Sequence, residues 1–289
     1  MKLALVLFAS LAAACTTATS PSGTISLGEP GRLALAGDCV VVAEHASLVC
    51  AQRDGDSSHT LVTTPDRTYV AIVADANGDG VLASSVANNM VELDRVGLDG
   101  STVELASLPA SEGAGELALA GTQVVLSTGS LLVTVDASTG GVTGLVATAT
   151  GTLGGVAVRG TTAYYVDDTT VESIELGAAS ATPEIESTES GAVAADAEAA
   201  VIGTNLTDSS YSFVTNVTTH DVTELHGTLS RLAIAAGHPY AVVDGDLYDA
   251  TGVDVTAPIV AGLDAFDLAG DARAVYWITR TGDVGTIAR

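Results

Sequence analysis

Leu33-Ala34-Leu35-Ala36-Gly37 runs into Val40-Val41-Val42, and Leu117-Ala118-Leu119-Ala120-Gly121 runs into Val124-Val125-Leu126: two copies of one pattern. Val156-Ala157-Val158-Arg159-Gly160 before Tyr164-Tyr165-Val166 is a third, and Phe266-Asp267-Leu268-Ala269-Gly270 before Val275-Tyr276-Trp277 a fourth. Weaker copies begin at Val70, Val193 and Leu232, so successive starts lie 37, 47, 39, 37, 39 and 34 residues apart. Apolar residues at every second position give a strand with one buried face, and the small residue that follows permits a tight turn. Short strands repeating about every forty residues predict an all-β, seven-bladed β-propeller of four-stranded antiparallel blades. Six blades is the alternative, with the irregular segment 65–110 as an insertion.

The third copy of the unit divides into strands near 116–120, 123–127, 130–135 and 142–146. In the second, Leu98-Asp99-Gly100 supplies a hairpin turn, because Asp-Gly tolerates positive φ. Glu184 to Ala200 is rich in Ala and Glu, but Gly191 and the neighbouring register predict a loop entering a blade. The last unit has only three strands, near 265–269, 273–279 and 283–288, while Thr24-Ile25-Ser26-Leu27 stands alone ahead of the first. A propeller closes its ring or exposes two strand edges. Residues 24–27 are therefore expected to complete the last blade beside 283–288.

Ala274-Val275-Tyr276-Trp277-Ile278-Thr279, with Gly282 and Ile287-Ala288-Arg289 beyond it, resembles the YWTD-like propeller repeat of bacteria. Glu92 to Gly100 is similar to the end of another such repeat. The resemblance implies a propeller over 24–289 and carries no active-site motif.

Lys2, the apolar run Leu3 to Leu11 and Ala12-Ala13-Ala14-Cys15 have the three parts of an export signal. The last four resemble the lipobox, which implies a lipoprotein signal over 1–14 and a lipid on Cys15; an ordinary signal cut after Ala14 is the alternative. Residues 15–23 are small and polar and suit a flexible tether. The expected address is the bacterial cell envelope, with the membrane reached through the lipid alone. Of the three cysteines, Cys39 and Cys50 then remain as a pair facing each other across a hairpin, within disulfide reach and in a compartment that permits oxidation.

Ten basic residues stand against 35 acidic ones, a net charge of −25 at pH 7. Such a surface repels nucleic acid and anionic headgroups and suits a monomer that meets cationic partners. Asp75-Ala76-Asn77-Gly78-Asp79-Gly80 matches the first half of a calcium loop, with oxygens at Asp75, Asn77 and Asp79. Val86 stands where an EF-hand needs its glutamate, so a tight turn without a cofactor is the first reading and calcium the second. His45, His59, His220, His226 and His238 form no zinc motif, and there is no G-x-S-x-G, P-loop or G-x-G-x-x-G. Tyr164, Tyr165, Tyr276 and Trp277 are expected in the core between blades.

The turns joining second to third strands should share one face: Glu44-His45, Asp167-Asp168, Asn205 to Asp208, Asp244-Gly245-Asp246 and Arg280. That face is the expected binding surface, for a protein or small-molecule ligand. The sequence thus predicts a lipid-anchored, exported, non-catalytic binding or scaffold protein. The competing expectation is an exported hydrolase or lactonase with a metal in the central channel.

Overall fold

The computed structural model describes residues 30–53, 57–111, 114–148, 151, 153–168, 170–178, 180–186, 191–206 and 210–288. The regular structure among them is β-strand alone, in seven sheets that follow one another along the chain. Blades one to four, at 30–63, 68–109, 114–148 and 153–186, are four-stranded antiparallel meanders. Blades five, six and seven occupy 192–226, 229–249 and 265–288. The molecule is a seven-bladed β-propeller. Segment 65–110 is no insertion: Thr68–Ala74, Gly80–Ala87, Met90–Gly97 and Thr102–Pro109 make a complete second blade. Its copy of the repeat reads weakly because Ser84 and Ser85, both fully buried, interrupt the apolar run.

Two blades depart from four strands. Blade seven has three among the described residues, Ala265–Gly270, Ala274–Thr279 and Val284–Ala288. The expected partner at 24–27 lies outside the described residues, as do Cys15 and the tether. Blade six also has three, ending at Asp246–Asp249. The chain then crosses to its neighbour, where Asp254–Val255 pairs parallel with the outermost strand of blade five, Val222–His226. It returns through a single bridge between Val260 and Leu247. The segment 184–200, expected as a loop, instead holds the end of the outer strand Thr182–Glu186 of blade four and the innermost strand Ala192–Ala195 of blade five. Ala192–Ala195 is short and alanine-rich and carries little alternation, which is why it reads as a loop.

The core is divided into seven clusters, one at each junction between blades. Val41, Cys50 and Val81 belong to the first junction, for example, and Val125, Leu132 and Tyr165 to the third. Tyr165 and Trp277 are 1% and 3% exposed and serve the inter-blade core as expected. Burying a side chain of this size contributes roughly 1.5–3 kcal/mol, and small Ala and Val residues between them let adjacent blades approach closely. The ring closes side to side: Leu33, Val40 and Val42 of blade one pack against Tyr276, Ile278 and Val284 of blade seven. Arg53 of blade one adds an ion pair to Asp271 and lies 5.3 Å from the Tyr276 ring centroid.

Cys39 and Cys50 are bonded, with Cα atoms 5.3 Å apart. The register pairs Val41 with Cys50 and Cys39 with Gln52, so the bridge runs diagonally between adjacent strands.

Candidate functional site at the channel mouth

The innermost strands line a central cavity of about 560 Å³. The meander order puts every turn between second and third strands at the end of the ring where the innermost strands begin. At that end six blades share one irregularity. Gly31 and Arg32 together oppose Ala43, and Gly115 and Glu116 oppose Ser127. Val70, Gly155, Ser230 and Phe266 are each one residue too many for the partner strand. A β-bulge of this kind bends the strand and re-aims a side chain.

The backbone groups released by the bulges are satisfied locally. Ser84 Oγ accepts from Ala71 N–H at 3.2 Å, and Ser127 Oγ from Glu116 N–H at 3.0 Å. In blade one the acceptor comes from the neighbour, because Leu33 N–H donates to Asp267 Oδ2 at 2.9 Å. Blades five and six are joined similarly by buried Asn205, which accepts from Leu229 N–H and donates to its carbonyl, at 2.8 and 3.0 Å.

In or beside these bulges stand Arg32, Glu116, Arg231 and Asp267, all facing the cavity. Arg32 Nη2 lies 2.7 Å from Glu116 Oε1, and its Nη1 lies 3.6 Å from Asp267 Oδ1. Arg231 Nε lies 3.5 Å from the same Asp267 oxygen. Burial raises the Asp267 pKa, and both arginines pull against it. Burial would lower that of Arg32, but Glu116 and Asp267 outweigh it and hold the guanidinium above its ordinary value. Arg231 is left lowered, first by burial and then by repulsion from Arg32. Its Nη1 donates to Ser230 O at 2.7 Å, while the buried Nε has no hydrogen-bond partner. The side chain of Arg231 is still 33% exposed. Its guanidinium lies 5.8 Å from the Phe266 ring centroid, with Arg280 at 5.5 Å from the same ring.

The mouth therefore offers a cation with spare donors beside an aromatic ring. It suits an acceptor such as a carboxylate. Its own two carboxylates are engaged by arginines, which makes the channel a poor seat for a metal ion.

The expected binding face is placed at this end, and its side chains have varied work. Asp167 Oδ1 accepts from Gly151 N–H at 2.8 Å, Asp244 Oδ1 from Thr228 N–H at 3.1 Å, and Asp246 Oδ1 from Gly262 N–H at 2.7 Å. Arg280 Nε lies 3.1 Å from Asp264 Oδ1. Glu44 is half-buried, His45 and Asp168 are exposed, and Asp208 lies outside the described residues. Asp75, Asn77 and Asp79 are far from the mouth, in the turn between the first two strands of blade two. There Asp75 is buried with Arg95 Nε 2.9 Å from its Oδ2, and Asn77 and Asp79 are exposed.

Sequence reading missed the four charged residues of the mouth. Their signal is nevertheless present: Arg32, Glu116, Arg231 and Asp267 each immediately precede Leu-Ala. The repeat was recognised by its apolar residues, and the position just before them carries the site.

No family model matches the chain, and no curated protein matches it. Solved structures do. A chain of the crystal structure of the mitotic checkpoint complex is similar at a TM-score of 0.71 and 15% identity, over 100% of this chain and 99% of that one. The virginiamycin B lyase of Staphylococcus aureus is similar at a TM-score of 0.66 and 10% identity, over 94% of this chain and 98% of that one. At these identities the likeness is one of fold.

Proposed function

We propose that this protein is a non-catalytic binding propeller of the bacterial envelope, attached through a lipid on Cys15, that receives a protein segment of mixed charge at the channel mouth. The observation that carries the reading is Arg231, a partly exposed guanidinium beside Phe266 that faces the cavity with its Nε toward Asp267 and its Nη1 on Ser230 O, and so has terminal N–H groups to offer a ligand. A carboxylate of the partner completes its hydrogen bonds, and basic groups on the same segment suit the acidic surroundings. Polyanions are repelled by the net charge, so one carboxylate is admitted where nucleic acid is not. A binding role is also in keeping with a fold shared by a chain of a checkpoint assembly. Another similar structure is a lyase, but among the described residues the channel carboxylates Glu116 and Asp267 are taken up by arginines, and that disfavours the metal-dependent hydrolase.

The test is capture from a native envelope fraction by the wild-type chain and by R231A, with mass spectrometry of what is retained. A partner held by the wild type and lost from R231A supports the reading. Equal capture by both moves the site away from the mouth. A Cys15→Ser chain found in the soluble fraction, without the diacylglyceryl mass increment that the wild type carries, supports the anchor; a wild type lacking that increment overturns it.

A further inference from the structure

Away from the mouth, the detour of the chain after blade six has an outcome that packing alone does not require. Asp254–Val255 is the one parallel pairing among the described strands, and the residue before it, Val253, is 83% exposed. What the pairing does is set Asp254 directly beside Glu224. On the same strand as Glu224, two residues on and hence on the same face, stands His226. Its Nε2 lies 3.5 Å from Asp254 Oδ1 and 4.0 Å from Glu224 Oε1. One ligand atom from each of the three lies within 4.8 Å of the others.

The geometry points to a binding site for a first-row divalent cation of the zinc type at Glu224, His226 and Asp254. A tetrahedral zinc with bonds near 2.1 Å needs its ligands about 3.4 Å apart, so small side-chain rotations close the site. An imidazole among the ligands favours zinc-type ions over calcium, which takes six to eight oxygens. Among the described residues the only cationic partner of either carboxylate is His226 itself. Neither carboxylate has an arginine or lysine beside it among the described residues, so a bound cation has no competing positive side chain to displace. The imidazole is steadied by Tyr211, whose ring meets it edge-on with centroids 4.6 Å apart. All three ligands are reachable, with side chains 40–60% exposed, and water completes the coordination. The bound ion clasps the connector of blade six to the outer strand of blade five. The site is independent of the mouth and of the proposed partner.

The test uses the purified full chain, stripped with a chelator and followed by thermal unfolding and equilibrium dialysis against micromolar zinc or calcium. Zinc should raise the melting temperature by several degrees, as any ligand selective for the native state does, and calcium at the same concentration should not. H226A and D254N should lose this shift and bind zinc roughly tenfold more weakly or worse. Because both residues are exposed, the zinc-free melting temperatures should match the wild type. Should either fall, E224Q and the dialysis affinity decide instead. Retention of the full shift and affinity by the variants, or absence of bound zinc in the wild type, overturns the site.

Discussion

Arg32 of blade one reaches across the mouth to Glu116 of blade three, passing over blade two, with Nη2 and Oε1 2.7 Å apart. No repeat of nearest neighbours demands such a contact. It ties non-adjacent blades, and through Asp267 it also ties blade one to blade seven. Replacing Arg32 by Met should therefore cost roughly 2 kcal/mol, between the limits for exposed and buried pairs, because buried Asp267 loses a cation. R32M/E116Q should recover part of the loss. Urea unfolding of the single and double variants measures this as a coupling energy; strictly additive losses would mean the pair is energetically idle.

Asp94 of blade two gives the protein a pH dependence of definite sign. Burial pushes its pKa up to about 6, opposed by Arg67 and reinforced by Glu92 and Glu104. Since the folded value lies above the unfolded one, the stabilising contribution is complete below about pH 4 and is lost as pH rises through 6. Two pH units correspond to roughly 3 kcal/mol. D94N should be more stable than the wild type at pH 7.5, and the advantage should vanish near pH 4. Arg67 also lies 2.5 Å from Glu92, so the substitution does not strip it of every carboxylate. Chemical denaturation of both proteins at several pH values checks it, and a constant difference across the range refutes it.

The bond between Cys39 and Cys50 closes a short loop, with a sequence separation of 11. Its removal should cost about 2–3 kcal/mol through the unfolded chain. C39S/C50S unfolded with and without reductant is the measurement. The wild type should approach the variant in reductant, while the variant should not respond.

Asn205 is the hinge pin between blades five and six, since its amide both accepts from and donates to Leu229. Asn205→Ala leaves buried backbone groups without these partners and should cost roughly 1–3 kcal/mol. Hydrogen exchange should show the loss as faster exchange at Leu229, with the amides of blade two unchanged.

The N-terminal strand remains a proposal with a clear readout. If residues 24–27 complete blade seven, deleting 16–22 should leave the melting temperature unchanged. Deleting 16–28 should lower it and promote association through the free edge of 284–288. Calorimetry and size-exclusion profiles compare the two; equal, monomeric behaviour removes strand 24–27 from the ring.

What could be read from the chain was whatever obeys period two. Leu33-Ala34-Leu35 and Leu117-Ala118-Leu119 announce half-buried strands, and their spacing announces the ring. Cys39 and Cys50 were legible because a hairpin is local. Blade two was harder, since Ser84 and Ser85 sit where apolar residues are expected, and Ser84 serves the bulge instead. The mouth was harder still. A bulge adds one residue and breaks the period, so the alternation that reveals the strand cannot reveal Arg32 or Glu116. Asp254 was beyond reach, because its neighbour Glu224 is set by a parallel pairing thirty residues away in sequence.

The bulges also separate two kinds of freedom. An ordinary strand residue is bound to its pleat, so its replacement is felt by the core on one side or the solvent on the other. A bulged residue is released from that strict alternation. Arg32, Val70, Glu116, Gly155, Ser230 and Phe266 occupy such places, and they span positive, negative, apolar and vanishing side chains on one framework. The rim of the channel thus carries varied chemistry, with Arg32 tied to Glu116, Phe266 resting on a core and Gly155 held at positive φ. Where such a residue is exposed, as at Ser230, substitution changes the chemistry of the rim while the core beneath is left as it is.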